Sequence, residues 1–181
     1  MSIERYPWLI EKFNTYDLTQ FPSSTIIEGE AGLAKSQLAN YFAQNLLCSN
    51  ELSACNSCNS CNYYKADSHP DFCYLSSESC SSALNSYSKA KKDSLVSKKI
   101  EGIRALNDFI NMTNSVSKKR VAILFDAHLM NVNAQNALLK TLEELPENKH
   151  IFIVSNKRKY FLPTIILSST HSVPFTHTSS P

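Results

Sequence analysis

The sequence predicts an α/β domain of phosphate-loop type: a three-layer core with a mostly parallel sheet and an inserted four-cysteine zinc module. Three observations carry this expectation. Short β-branched or apolar runs alternate with stretches of helical periodicity, the order that builds a mostly parallel sheet with helices on both faces. The first run leads into Gly29-Glu30-Ala31-Gly32-Leu33-Ala34-Lys35-Ser36, one residue short of G-x-x-x-x-G-K-[ST]. Cys48, Cys55, Cys58 and Cys61 then follow at C-x6-C-x2-C-x2-C, a spacing that brings four thiolates round one tetrahedral ion through two tight turns.

A chain of 181 residues suits one well-buried domain. With 43% hydrophobic and 19% charged residues and a formal net charge of +2, its composition is that of an ordinary soluble protein. So small a positive excess does not by itself point to nucleic acid. No apolar run reaches the length of a membrane span, and Met1-Ser2-Ile3-Glu4-Arg5 lacks the apolar core of a signal peptide, so a cytoplasmic protein without a membrane partner is expected. Thiols stay reduced in that compartment, and clustered cysteines there favour a metal over disulfides.

Taken in order, Trp8, Leu9 and Phe13 mark a first helix within residues 6–21. Thr25, Ile26 and Ile27 form a buried strand ending at Gly29, and Leu38, Ala39, Phe42, Leu46 and Leu47 recur at helical spacing from Ser36 onward. Strand, glycine loop and helix thus come in the order a phosphate loop requires. His69-Pro70-Asp71 reads as a turn before a strand over Phe72 to Leu75. Residues 76–99 are rich in Ser and Lys and lack periodicity, so a flexible loop is expected, with a lysine run (Lys89, Lys91, Lys92, Lys98, Lys99) that reads first as solvated. Ile103, Leu106, Phe109 and Ile110 mark the next helix, and Val121 to Phe125 a central strand buried on both faces. A helix through Ala134, Ala137, Leu138, Thr141, Leu142 and Leu145 stops before Pro146, a buried strand spans Ile151 to Val154, and an edge strand lies near Val173. The core is therefore expected over 1–175, with the zinc insertion at 48–66 and a disordered tail at 176–181.

The four thiolates would close the coordination sphere, so the zinc site reads as structural rather than catalytic. Cys73 and Cys80 lack partners at ligand spacing and read as a strand and a loop residue. His128 reads as a surface or loop histidine, and Glu143-Glu144 as a solvated or interface pair, since adjacent helix positions face different ways. The candidate nucleotide-binding residues are Gly29, Gly32, Lys35 and Ser36, with Lys35 for the outer phosphates and the Ser36 hydroxyl for magnesium. Ala34 stands at the second glycine, which strains the loop if the backbone there must have positive φ. ATP binding is left open.

Asn136-Ala137-Leu138-Leu139-Lys140-Thr141-Leu142-Glu143-Glu144 is more specific than periodicity demands. It resembles the helix that marks the bacterial clamp-loader subunits of the AAA+ class, part of the DNA polymerase III holoenzyme. The cysteine insertion after the first phosphate-loop helix is similar to theirs. The resemblance covers roughly residues 5–175. Within the family, Tyr6-Pro7-Trp8, His69-Pro70-Asp71-Phe72 and Ile100-Glu101-Gly102-Ile103-Arg104 look like the delta-prime type rather than the hydrolysing gamma/tau type.

The resemblance implies an Asp-Glu pair at the end of the central strand in an active member. Counting back from Asn136 puts Phe125-Asp126 there, and sliding Asp126 onto the first position leaves Ala127 on the second. Either register loses one carboxylate, and with it much of the electrostatic stabilisation of phosphoryl transfer. The family's Ser-Arg-Cys motif falls on Leu162 to Thr170 with Ser169 at the arginine, and no arginine follows Arg158. The resemblance also implies lid and collar domains after this core, so a truncated chain or a reduced natural protein is expected. It implies a non-hydrolysing subunit that works in DNA replication beside gamma/tau and delta subunits and reaches the sliding clamp and primed DNA through the complex. An active clamp-loader ATPase and a zinc-dependent nucleic-acid-binding module are the alternatives.

Overall fold

In the computed structural model the residues described are 7–50, 53–75, 100–130, 132–156, 161–168 and 171–175. Five parallel strands form one sheet in the order β2-β3-β4-β1-β5. They are β1 (Ser24–Gly29), β2 (Phe72–Leu75), β3 (Arg120–Leu124), β4 (Lys149–Ser155) and β5 (His171–Phe175). The helices are α1 (Pro7–Asn14), α2 (Lys35–Leu47), α3 (Asn59–Lys65), α4 (Ile100–Asn111), α5 (Val132–Glu143) and α6 (Pro163–Ser168). Pro7 and Pro163 open their helices at the first position, where a missing N–H costs nothing. The expected α/β class and parallel sheet are borne out.

Alternation along the strands fills both faces. Val121 and Ile123 of β3, Phe152 and Val154 of β4 and Ile27 of β1 meet Leu38, Ala39 and Phe42 of α2. Ala122 and Leu124, Ile151 and Ile153, and Ile26 point the other way, against Ile103, Leu106 and Ile110 of α4, Leu138 of α5 and Ile165 of α6. Burial on both faces is why β3 and β4 read as continuous apolar runs rather than alternating ones. Phe42 carries the α2 side: it is fully buried, stacks on Phe152 at 5.7 Å and touches Phe21 at 4.8 Å. Truncating such a side chain to alanine costs about 3–5 kcal/mol.

The register fixes where the site lies. Ile26 pairs Ile153 and Ala122 pairs Ile151, so β1, β4 and β3 end side by side. The chain leaves β1 toward β2 and leaves β4 in the opposite direction, toward β5. A crevice opens beyond the carboxyl ends of strands where crossovers diverge in this way.

Differences from the sequence reading are local. β3 is an interior strand, β4 is the central one, and Phe125 falls just past β3. The cysteine lobe contains a helix, α3, and α6 follows Leu162; both are too short for apolar periodicity to reveal. His128 lies half-buried in a 3-10 turn over Ala127–Leu129, the loop rather than the surface placement of the two expected. The Ser/Lys-rich loop at 76–99, Cys80, Ser169 and the tail at 176–181 lie outside the described residues.

Candidate functional site

α2 joins two candidate sites, the glycine loop before it and the cysteine lobe after it. At its N-terminal end the loop from Glu30 to Ala34 turns through Gly32, whose φ is +87°, and Ala34, whose φ is 55°. Ala34 therefore occupies a left-handed conformation that costs a residue with a Cβ about 1–2 kcal/mol. The strain expected from an alanine at the second glycine is present. Ala31, Gly32, Ala34, Lys35, Ser36, Gln37, Asp126, Val154 and Asn156 line a cleft of about 290 Å³. Gly32, Lys35 and Ser36 thus meet in one place, while Gly29 is the last residue of β1 and stays out of the lining.

Lys35 is buried, and its Nζ donates to the carbonyl of Glu30 at 2.5 Å. Burial pulls its ammonium below the ordinary lysine range, while the nearby charge of Asp126 acts in the opposite direction. Asp126 caps the 3-10 turn with φ 48° and brings a carboxylate to the cleft. Phe125 packs on the α2-side cluster and meets the Tyr74 ring edge-on at 5.9 Å. Among the described residues Asp126 is the only carboxylate in the lining. Asn156, just past β4, completes it; a lone asparagine after an apolar strand carries no motif, and only the register of β4 beside β1 reveals it.

At the other end of α2 the sulfurs of Cys48, Cys55, Cys58 and Cys61 all lie within 4.8 Å of one another. Cys48 Sγ stands 3.6 Å from Cys55 Sγ and 3.9 Å from Cys58 Sγ. Four sulfurs at 2.3 Å from a tetrahedral ion stand about 3.8 Å apart, so the spacing fits zinc. Backbone N–H groups point at the sulfurs as they would at thiolates: Asn50 and Cys55 donate to Cys48, Cys58 to Cys55 and Cys61 to Cys58, at 3.3–3.4 Å. Donation from the Ser57 backbone and hydroxyl, then from Cys58, brings the exposed Cys55 thiol down to about 5. Cys58 is also lowered: burial acts upward, but the N–H groups of Cys61 and Ser49 outweigh it. Burial raises Cys48 and pushes Cys61 up to about 12. A dication would draw all four to the thiolate form.

A buried polar network fastens this lobe to the core. The Ser60 and Ser117 hydroxyls both donate to the Leu47 carbonyl, at 2.5 and 2.7 Å. His69 Nδ1 accepts from the Asp71 backbone N–H at 3.0 Å, so Nε2 carries the proton and faces Ser60 and Ser117 at 2.8 and 3.1 Å. Burial lowers His69 to about 4, which keeps this neutral tautomer. The Asp71 carboxylate accepts from the N–H groups of Ser115, Val116 and Ser117 and from Arg120 Nη2, at 2.7–2.8 Å. Arg120 is fully buried, lies over the Phe109 ring at 4.6 Å and donates to the carbonyls of Phe109 and Thr113. The His-Pro-Asp turn is therefore a junction of lobe, sheet and α4.

Residues 9–179 match the family model described as DNA polymerase III, delta subunit. The chain belongs to that family. A relative from Pseudomonas aeruginosa, DNA polymerase III subunit delta', is 30% identical over 163 residues, covering 88% of this chain and 45% of its own. Subunit delta' of Bacillus subtilis is 27% identical over 164 residues, covering 90% and 45%, and subunit tau of the same organism is 26% identical, covering 89% and 26%. The chain thus spans less than half the length of these relatives. Among solved structures, a gamma subunit-related protein of Thermotoga maritima superposes with a TM-score of 0.57 at 18% identity, covering 94% of this chain and 46% of its own. The RuvB branch-migration motor of the same organism gives 0.52 at 10%, covering 94% and 45%. These two share the fold. The family resemblance drawn from the α5 segment and the cysteine insertion is borne out.

Proposed function

We propose that this chain is the core of a non-hydrolysing, delta-prime-like subunit that serves DNA replication by helping a clamp loader place the sliding clamp on primed DNA. Support comes from family membership and from one geometric observation: among the described residues the cleft presents a single carboxylate, Asp126, while Phe125 is turned into the apolar α2 face. Magnesium-assisted phosphoryl transfer draws on one group to hold the metal and another to position the nucleophile. A cleft with one carboxylate supplies half of that. Gly32, Lys35 and Ser36, with Gly29 at the strand end, are the residues that would hold a nucleotide's phosphates, using the N–H groups at the start of α2. Lys35 must first leave the Glu30 carbonyl.

In this reading Cys48, Cys55, Cys58 and Cys61 hold a structural zinc, which stabilises residues 48–66 as an insertion in a core running to about residue 175. The chain works in the cytoplasm beside gamma/tau and delta subunits and reaches clamp and DNA through them. No helix among the described residues is long and apolar enough to cross a membrane. Co-purification with a gamma-type subunit tests the role. A stable complex is expected, and no association by the zinc-loaded chain contradicts it.

A further inference from the structure

Tyr64 has no part in either site, yet it is hydrogen-bonded between them. α3 has only seven residues, too few to be stable alone. Its first turn is held by two of the cysteines: Cys58 caps the helix, its sulfur accepting from the N–H of Cys61, one turn along. Tyr64 lies three residues beyond Cys61, on the same side of the helix. Its ring packs against Phe72 of β2 at 5.0 Å, and its hydroxyl donates to the carbonyl and side-chain oxygens of Asn40 at 3.0 and 3.1 Å. The Asn40 amide in turn donates to the carbonyl of Ser36 at 2.8 Å. Ser36 lines the cleft.

We propose that Tyr64 is a positioning residue through which metal in the cysteine lobe orders the phosphate loop. Three further hydrogen bonds among the described residues join the lobe to α2, but all fall in its C-terminal half: Gln44 to Asn56 at 2.9 Å, Asn45 to the N–H of Ala54 at 2.8 Å and Ser60 to the Leu47 carbonyl at 2.5 Å. Among the described residues the Tyr64–Asn40–Ser36 chain alone extends from the lobe to the first turn of α2. That turn depends on outside support. The N–H groups of Gln37 and Leu38 both reach the single carbonyl of Ala34, at 3.0 and 3.2 Å, so the turn hangs on a residue whose left-handed backbone favours its release. With metal bound, α3 is fixed and Tyr64 clamps Asn40. Without metal, Cys58 and Cys61 are no longer tied to one ion, the short α3 frays, Asn40 is released, and the loop opens more often. The inference rests on the zinc reading of the four cysteines and not on any turnover at the cleft.

Amide hydrogen exchange on the full chain, with zinc content assayed in parallel, tests this. Zinc-loaded Tyr64→Phe is expected to lose about fivefold protection over residues 33–40, the worth of one hydrogen bond, with amides of β3 and β4 and zinc content unchanged. Asn40→Ala should give the same local loss. Removing zinc from the unsubstituted chain should lower protection at 33–40 by about fivefold or more, and removing it from Tyr64→Phe should add less than about twofold there. If chelation also exposes β3 and β4, the three zinc-loaded proteins decide by themselves. Protection at 33–40 that is unchanged in both zinc-loaded variants overturns the linkage and leaves the zinc reading standing. A purified chain without zinc overturns both.

Discussion

The two ends of α2 are built to different standards. At its C-terminal end the four sulfurs lie close enough to share one ion, N–H groups aim at the sulfurs, and Ser60, His69, Ser117, Asp71 and Arg120 form one buried network in which Arg120 Nε lacks a partner. At its N-terminal end the loop closes on itself, Lys35 on the Glu30 carbonyl, beside a strained Ala34 and, among the described residues, a single carboxylate. Buried polar hydrogen bonds are thus densest beside the cysteine lobe, while the loop carries the left-handed Ala34. Under the proposed function, the contrast is that of a chain kept for its shape.

The largest effect should come from the lobe. Structural zinc is worth about 10–16 kcal/mol to isolated zinc-finger peptides but here would hold one lobe of a larger core, so chelation or Cys61→Ala should lower the midpoint of thermal unfolding by more than about 15 °C while leaving the core folded at room temperature. An unchanged melting curve breaks the comparison. Next is the junction: Asp71→Asn leaves Arg120 buried without its counter-ion and should cost about 3–5 kcal/mol in urea titration.

The His-Pro-Asp turn shows how much of this was legible. The turn itself could be read before β2, and the family resemblance pointed to it, but its role could not. The partners of Asp71 lie 44 to 49 residues away, and only the pairing of β2 with β3 brings them together. Local patterns fared better. The continuous apolar runs of β3 and β4, the 3.6-residue spacing of α2, α4 and α5, and the cysteine spacing each record a short-range requirement. Asn156 and Tyr64 act through strand register and inter-element contact, so they left no pattern. α3 and α6 were too short to show one.

Acid should separate the fold from the cleft. Burial depresses His150 to about 4, its Nδ1 facing the Pro22 carbonyl at 3.0 Å, and His69 is depressed to a similar value. The unfolded chain therefore binds more protons from pH 6.5 down to 4. The stability of keeping both rings neutral is fully present above 6.5 and is lost as pH falls toward the folded values. Each ring should cost about 1.4 kcal/mol by pH 5.5, and His150→Gln should remove about half of the pH slope in denaturant titrations. The smallest effect belongs to the loop: Ala34→Gly should raise stability by about 0.5–1 kcal/mol by relieving the left-handed strain, less the flexibility gained by the unfolded chain. A loss of stability would show that the loop tolerates its alanine without strain.

Under the proposed function the cleft performs no ATP hydrolysis. Steady-state phosphate release by the purified chain, with primed DNA and ATP–magnesium and with Lys35→Ala in parallel, tests it most directly. The expected result is release at the background rate for both proteins. Turnover above background that disappears in Lys35→Ala would contradict it and make Asp126 part of a working ATPase.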